Sequence, residues 1–139
     1  VAIGSMVGPA YRAALELEKL GVRASVINAR FAKPLDRETI LTAAEETRHV
    51  ITIEENMRAG GFGEAVRAIV PDGIRCDVIA IDDQFVEHGA QPIIRESVGL
   101  STENIVKVYS PAADFARPIG RKPAAVISVP VSMGMAVIS

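Results

Sequence analysis

The sequence predicts a three-layer α/β/α protein built on a mostly parallel, doubly wound sheet. Strand-like and helix-like segments alternate four times with short connections, and each right-handed crossover between parallel strands lays its helix on one face of the sheet. The composition agrees with this, because 49% of the 139 residues are hydrophobic and only 4% are aromatic, as in a buried sheet of aliphatic residues. The length is that of a single domain.

The first two predicted strands flank the first predicted helix. Residues 1–5 read as a short buried strand. A helix follows from Pro9, which is favoured in a first turn, to Gly21, which can end it in the left-handed conformation. Residues 22–28 form a β-rich run and give the second strand.

Two further helices alternate with the remaining strands. Asp36 is the predicted N-cap of a helix over residues 37–47, and residues 49–53 are the third strand. A glycine-rich turn opens the third helix, with apolar residues as far as Val70 on one side. Residues 76–81 are the fourth strand, and short helical segments are expected near residues 92–97 and 102–108.

Charge and cysteine content narrow the partners and the compartment. The formal net charge is −2, and both signs are spread along the chain without a basic stripe, so nucleic acid is not an expected partner. The single cysteine, Cys76, cannot form an intramolecular disulfide, which predicts a cytoplasmic protein and a small buried residue beside a strand. A strand that starts at residue 1 without a methionine predicts a piece of a longer protein.

The run Gly60-Gly61-Phe62-Gly63 lies between a strand and a helix, where phosphates often bind. The dinucleotide-binding spacing fails at Val66, no Lys-Ser/Thr pair follows, and the preceding Glu54 and Glu55 would repel an anion. We therefore predict a tight turn that only glycine fits, with Phe62 packed as a wedge. Phosphate binding is the alternative.

Glu54, Glu55 and Asn56 follow the third predicted strand at its carboxyl end, where α/β proteins place functional groups. Neighbours on a strand point to opposite faces, so the two glutamates are not an acid–base pair acting on one bond. We predict that one carboxylate faces a cleft or a partner and that the other caps the helix after the glycine turn. A structural or interface role is expected rather than catalysis.

A polar cluster, Asp82, Asp83, Glu87 and His88, follows the fourth predicted strand. Its carboxylates and imidazole are possible ligands of a divalent metal, but the other histidine of the chain lies in a different segment and no two-histidine spacing exists. We expect a structured or interface loop and no bound metal. Two further alternatives are a hydrolase or lyase built on Glu54, Glu87 and His88, and a binding module that takes an anion between the first and third strands.

The last segment differs in composition. After Lys122 no charged residue remains, and residues 123–139 form a 17-residue apolar run that contains Pro123 and Pro130. The run is short for a membrane span and is broken by proline. We expect an extra strand, or a segment packed on a neighbouring chain, and no membrane.

Several motifs, in order, resemble the C-terminal domain shared by transketolase-like enzymes. They are Val1-Ala2-Ile3-Gly4-Ser5-Met6-Val7, Asn28-Ala29-Arg30-Phe31 with Lys33-Pro34-Leu35-Asp36, Thr52-Ile53-Glu54-Glu55-Asn56, and Gly60-Gly61-Phe62-Gly63. A further run, Asp83-Gln84-Phe85-Val86-Glu87-His88-Gly89, is similar to the 1-deoxy-D-xylulose-5-phosphate synthase branch, and the C-terminal domains of pyruvate dehydrogenase β-type subunits are similar too. The resemblance covers residues 1–107 and leaves residues 108–139 as an atypical apolar tail.

The resemblance implies a parent enzyme that joins pyruvate to glyceraldehyde 3-phosphate with loss of CO₂, uses thiamine diphosphate and Mg²⁺, and feeds isoprenoid, thiamine and pyridoxal synthesis. In the family, the cofactor-binding motif and the activating glutamate lie in two other domains. No catalytic, cofactor-binding or metal residue is therefore assigned to this chain, which alone is expected to be inactive. The resemblance implies structural support and dimer contact, with the parent's remaining domains and a second copy as partners. The candidate residues for this role are Glu54, Glu55, Asn56, Gly60, Gly61, Phe62, Gly63, Asp83, Phe85, Glu87 and His88.

The family's arrangement, together with right-handed crossovers, predicts four parallel strands in the spatial order 2-1-3-4. The family's domain begins with one more strand that this sequence lacks, which would leave strand 2 as an edge with unpaired backbone groups. We predict that residues 124–129 pair with a sheet edge, their own or that of a second copy, and that Pro130 ends the pairing.

Overall fold

The computed structural model describes residues 1–109 and 135–138 of the chain. Strands and helices alternate through most of this length. The elements in chain order are β1 (Ala2–Ile3), α1 (Val7–Lys19), β2 (Val26–Ala29), α2 (Arg37–Thr47), β3 (His49–Met57), α3 (Phe62–Arg67), β4 (Arg75–Ile81), α4 (Gln91–Ser97), α5 (Thr102–Tyr109) and β5 (Met135–Ile138).

The sheet has the order β4-β3-β1-β2-β5. The four strands from β1 to β4 pair in parallel, so the predicted order 2-1-3-4 is confirmed. The chain winds from β1 outward to β2 and then back across β1 to β3 and β4. The carboxyl ends of β1 and β3 therefore flank the point at which the winding direction reverses.

Apolar residues fill a separate core on each face of the sheet. On one face, Ala10 and Ala13 of α1 and Ile105 of α5 pack against Ile53. On the other face, the side chains packed against Val50 come from α2 and α3, namely Ile40, Ala44, Phe62 and Val66. The three predicted layers are therefore present.

The first two strands are shorter than predicted. Gly4 has a φ of 61° and starts a 3-10 turn, Gly4–Met6, so β1 ends at Ile3 instead of residue 5 and α1 begins two residues before Pro9. Strand β2 is short as well, and only its Asn28 and Ala29 lie opposite β1. It starts at Val26, and residues 22–25 lie outside the ladder.

The elements from α2 onward lie close to their predicted positions. Asp36 caps α2 as predicted, since its carboxylate accepts the Thr39 N–H at 3.1 Å. The third strand continues to Met57, four residues beyond its predicted end, so it includes Glu54 and Glu55. Helix α3 ends at Arg67, and Val70 follows it.

A polar cluster fastens α5 to the amino end of the sheet. The His49 Nε2 lies 2.7 Å from the Asp77 carboxylate, which also accepts from Arg75 at 2.8 Å. The His49 ring stacks on Tyr109, with 5.5 Å between ring centroids. Nearby in β4, burial raises the pKa of the partly buried Cys76 thiol, which favours an inert thiol over a nucleophile.

The tail contributes an extra strand within residues 123–139, as expected. Met135–Ile138 form β5, which pairs antiparallel with β2, so β2 is not the edge of the sheet. The predicted pairing segment, residues 124–129, and Pro130 lie outside the described residues. No helix within the described ranges has the length and apolar character needed to cross a bilayer.

Candidate functional site

The candidate site lies at the carboxyl end of β3, where two neighbouring glutamates point to opposite faces of the sheet. Glu54 lies on the face covered by α2 and α3, and it is fully buried. Glu55 lies on the other face, where it meets α4 and the turn after β1. This is the separation expected of consecutive residues on a strand.

Glu54 holds the start of α3. One carboxylate oxygen accepts the Phe62 N–H at 2.9 Å and the other accepts the Gly63 N–H at 2.7 Å. Both donors belong to the first turn of α3, whose N–H groups have no intrahelical partner. A carboxylate is also favoured there by the helix dipole. Of the two glutamates, Glu54 is therefore the one that caps the helix.

The glycine turn is required by this close approach. A Cβ on Gly61 would overlap the Met57 carbonyl oxygen and lie 2.8 Å from both Glu54 oxygens. A Cβ on Gly63 would lie 2.6 Å from the buried Thr52 hydroxyl. Gly61 itself has ordinary extended backbone (φ −79°), and the positive φ of 71° belongs to Gly60. The need for glycine at position 61 thus comes from lack of space rather than from backbone conformation.

The turn's geometry argues against the phosphate alternative. The Phe62 and Gly63 N–H groups that would bind a phosphate already hold the Glu54 carboxylate, and the Gly60 N–H donates to Glu64 at 2.8 Å. The shallow depression beside the turn, about 330 Å³, contains Lys33 as its cation and Glu64 as an opposing carboxylate. A phosphate would have to displace the buried Glu54 side chain from these two N–H groups.

Glu55 anchors a second network on the opposite face. Its two oxygens accept from Arg95 Nε and a terminal guanidinium nitrogen, each at 3.0 Å. The Ser5 hydroxyl also donates to it, as does the Gln91 amide at 3.3 Å. The hydrogen bond from Arg95 is the largest influence on this carboxyl, and it holds the pKa of Glu55 below its usual value of 4.5.

Ser5, Gln91 and Arg95 belong to this network but were not predicted as site residues from the sequence. They join the ends of β1 and β3 to α4 at the reversal point of the sheet, where doubly wound proteins bind ligands. The one local signal was the four-residue spacing of Gln91 and Arg95, which places both on one face of a helix. In this crevice the guanidinium is already paired with a carboxylate, which disfavours an anion.

The loop between β4 and α4 is exposed. Asp83, Glu87 and His88 face solvent, as does Asn56 at the end of β3. Phe85 is the most exposed large apolar side chain of the described residues, at 88%. The loop's start is held by Asp82, whose carboxylate accepts from Arg58 at 2.8 Å.

The geometry of the described residues argues against the alternative of a hydrolase or lyase site built on Glu54, Glu87 and His88. Glu54 is buried with both oxygens engaged, whereas Glu87 and His88 are exposed on the loop after β4. These three side chains therefore do not share one accessible cleft. Within the same residues, no three His, Cys, Asp or Glu side chains are grouped so that they could hold a metal ion.

Comparisons with known proteins match most of the chain. The family model described as the transketolase C-terminal domain matches residues 1–105. The chain is 47% identical over 120 residues to the 1-deoxy-D-xylulose-5-phosphate synthase of Heliobacterium modesticaldum, covering 84% of the chain and 18% of the relative. It is 50% identical over 109 residues to 1-deoxy-D-xylulose-5-phosphate synthase 1 of Geobacter sulfurreducens, covering 76% of the chain and 17% of the relative.

A solved structure of a transketolase is also similar to this chain. A structure described as a split gene transketolase, inactive beta4 tetramer, superposes with a TM-score of 0.72 at 32% identity, covering 84% of this chain and 38% of that one. The chain spans less than a fifth of the length of the curated relatives quoted above, and it matches their C-terminal part.

Proposed function

We propose, since the chain belongs to the transketolase C-terminal domain family, that it is the C-terminal domain of a 1-deoxy-D-xylulose-5-phosphate synthase. The proposed parent joins pyruvate to glyceraldehyde 3-phosphate with loss of CO₂, as a transferase of the isoprenoid precursor pathway. Residues 1–107 would be the family's domain and residues 108–139 an added tail. Identity of 47–50% to two such synthases carries the assignment.

The role proposed for the domain is structural. Both glutamates of β3 are engaged within the domain, Glu54 by α3 and Glu55 by Arg95, which leaves neither free as a general acid or base. The residues present do not fit thiamine diphosphate with Mg²⁺, because the turn N–H groups are occupied and the described residues offer no metal cluster. We therefore assign cofactor and metal to the parent's other domains.

The exposed loop after β4 supports a contact with those domains or with a second parent chain. Phe85, 88% exposed, presents an aromatic side chain of the kind that anchors interfaces, and Asp83, Glu87 and His88 beside it offer a polar rim. The loop lies at the same edge of the sheet as Glu55 and Arg95. We propose that this edge is covered in the full enzyme.

Domain replacement tests the proposal. The matching C-terminal part of the Geobacter sulfurreducens synthase is replaced by residues 1–109 of this chain, and product formation from pyruvate and glyceraldehyde 3-phosphate is measured. We expect the chimera to retain activity within roughly tenfold, or about 1.4 kcal/mol of barrier, and the enzyme without the domain to be inactive.

Phe85→Ala supplies a matched control for the contact. In the isolated chain it should leave the urea midpoint unchanged, because the side chain is exposed. In the chimera it should weaken assembly by about 1–2 kcal/mol. A folded chimera without synthase activity would contradict the proposal, and would do so most clearly if residues 1–109 restored a pyruvate dehydrogenase β-type subunit instead.

A further inference from the structure

The backbone of β1 determines which groups of β2 face outward. The terminal amino group of Val1 donates to the Ile51 carbonyl at 2.7 Å, and the Val1 carbonyl accepts the Ile53 N–H at 2.9 Å. Both backbone groups of Val1 therefore point to β3. Successive residues of a strand direct these groups to alternate sides, so those of Ala2 point to β2.

On β2, the same alternation separates two pairs of residues. Ala2 lies opposite Asn28 in parallel register, and in a parallel ladder the bonds of a residue run to the neighbours of the residue opposite it. The groups that meet Ala2 are therefore those of Ile27 and Ala29. Val26 and Asn28 direct their N–H and C=O groups to the outer edge of the sheet.

Strand β5 occupies that outer edge. Its register places Ile138 opposite Val26 and Ala136 opposite Asn28. These are the pairs that exchange hydrogen bonds, because antiparallel ladders alternate between bonded and non-bonded pairs. Ala136 and Ile138 thus satisfy the outer groups of β2.

The backbone N–H and C=O groups of the other two residues of β5 point away from β2. Met135 and Val137 form non-hydrogen-bonded pairs with it, so their N–H groups point outward. Only two bonded pairs thus hold the four residues, and the hydrogen bonds gained are similar in size to the entropy lost on ordering those residues. Strand β5 follows α5 only after a further 25 residues of sequence.

We propose that the outer edge of β2 is a strand-binding surface. The chain's own β5 covers this edge, and when β5 is withdrawn the edge pairs with β2 of a second copy. Two copies of β2 are self-complementary when they run antiparallel about Ile27. In that register Val26 of each copy lies opposite Asn28 of the other, and both residues offer outward N–H and C=O groups. Such a two-fold interface closes at the dimer.

The charges around β2 permit this pairing. Val26–Ala29 contains no charged residue, and an uncovered, uncharged edge is the kind that recruits another strand. Arg23 and Arg30 flank the strand. In the proposed register Arg30 lies opposite Ala24 of the second copy, and Arg23 opposite Phe31, so like charges do not meet directly.

Two proline substitutions in β5 provide matched test variants. In Ala136→Pro the ring replaces an N–H that donates to β2, so β5 should detach. In Val137→Pro the ring replaces an N–H that points outward, a position where strands accept proline. A third variant ends at Gly134 and lacks β5. Mass in solution is measured over a range of micromolar concentrations, with folding monitored by far-ultraviolet circular dichroism.

We expect the unaltered chain and Val137→Pro to stay monomeric, and Ala136→Pro and the shortened chain to approach roughly twice the monomer mass as concentration rises. Residue-resolved amide exchange locates the contact. The amides of Val26 and Asn28 should gain protection in the dimer, whereas those of Ile27 and Ala29 should be protected at every concentration.

Each other outcome overturns the proposal. A monomeric shortened chain would show that the β2 edge does not recruit a second copy, and equal behaviour of the two proline variants would refute the deduced register. Aggregates larger than dimers would contradict a closed two-fold pairing, and a dimer without protection of Val26 and Asn28 would place the contact elsewhere. Unfolding of both Ala136→Pro and the shortened chain would make β5 an essential strand rather than a removable one.

Discussion

Replacing Glu54 by alanine is the most direct test of how the site is built. The change removes the acceptors of two buried N–H groups, those of Phe62 and Gly63. Leaving a buried donor unsatisfied costs about 1–3 kcal/mol each, and a small cavity adds to the loss. We expect Glu54→Ala to lower the free energy of unfolding by about 3–5 kcal/mol.

Two further variants calibrate this value. Glu54→Gln keeps the size and one acceptor oxygen, but turns an NH₂ group toward the second donor. It should cost about 1.5–3 kcal/mol. Glu64→Ala also removes a carboxylate that accepts a turn N–H, that of Gly60, but at an exposed position, and should cost less than about 1 kcal/mol.

Urea unfolding followed by circular dichroism measures all three. A shift in the midpoint at constant slope reports stability alone. Since domains of this kind are stable by only about 5–15 kcal/mol, Glu54→Gln gives a readable transition even where Glu54→Ala is largely unfolded. The reasoning is refuted if Glu54→Ala costs no more than Glu64→Ala.

Three other measurements probe the same region. Gly61→Val should lower the free energy of unfolding by about 1–3 kcal/mol, because the new side chain would overpack against the Met57 carbonyl and Glu54. As a control, Gly8→Ala within α1 should raise the free energy of unfolding by about 0.5–1 kcal/mol. A Gly61→Val variant as stable as the unaltered chain would contradict the clash. Arg95 holds the pKa of Glu55 below 4.5, so their pairing stabilises the fold fully above about pH 4.5. This stabilisation is lost as the pH falls through the lower pKa of the folded state. Arg95→Met should remove this part of the dependence of stability on pH, and an unchanged dependence would contradict the role of the pair. Calorimetric titration of the isolated chain with thiamine diphosphate and Mg²⁺ should give no binding heat, and saturable binding would count against a purely structural domain.

The positions of the strands and helices followed from the sequence because each hydrophobic run is short and separated by a turn residue or a helix cap. The order of the parallel strands came from the resemblance to the transketolase-like family together with right-handed crossovers. Asp36 caps the start of α2, and Gly21 follows the end of α1 in the left-handed conformation. Both effects depend only on neighbouring residues, so they can be predicted from a short stretch of sequence. The sequence also predicted that Glu54 and Glu55 have different roles, since the side chains of adjacent strand residues lie on opposite faces of the sheet. What each one touches was only half predictable, because α3 follows within a few residues whereas Arg95 lies forty positions away.

The errors have physical causes as well. Strand β1 is short because Gly4 turns the chain, and a glycine does not reveal its φ in a sequence. The strand Met135–Ile138 that pairs with β2 was not located from the sequence, because the whole uncharged run 123–139 is compatible with a strand. The pairing predicted for residues 124–129 lies outside the described residues and stays a prediction. The partner of a tail strand depends on long-range packing, which composition does not encode.

The consecutive glutamates also bear on insertions and deletions in β3. Deleting one residue before Glu54 would move Glu55 into its place, and inserting one would move Glu54 into the place of Glu55, so a carboxylate would still occupy one of the two sites. The partners of the two carboxylates therefore do not select the alignment of this strand. The apolar residues do, because a one-residue change would exchange Val50 with Ile51 between the two cores. Length changes should be tolerated only beyond Glu55, towards Met57, since the ladder to β4 already shifts register somewhere between Ile53 and Met57.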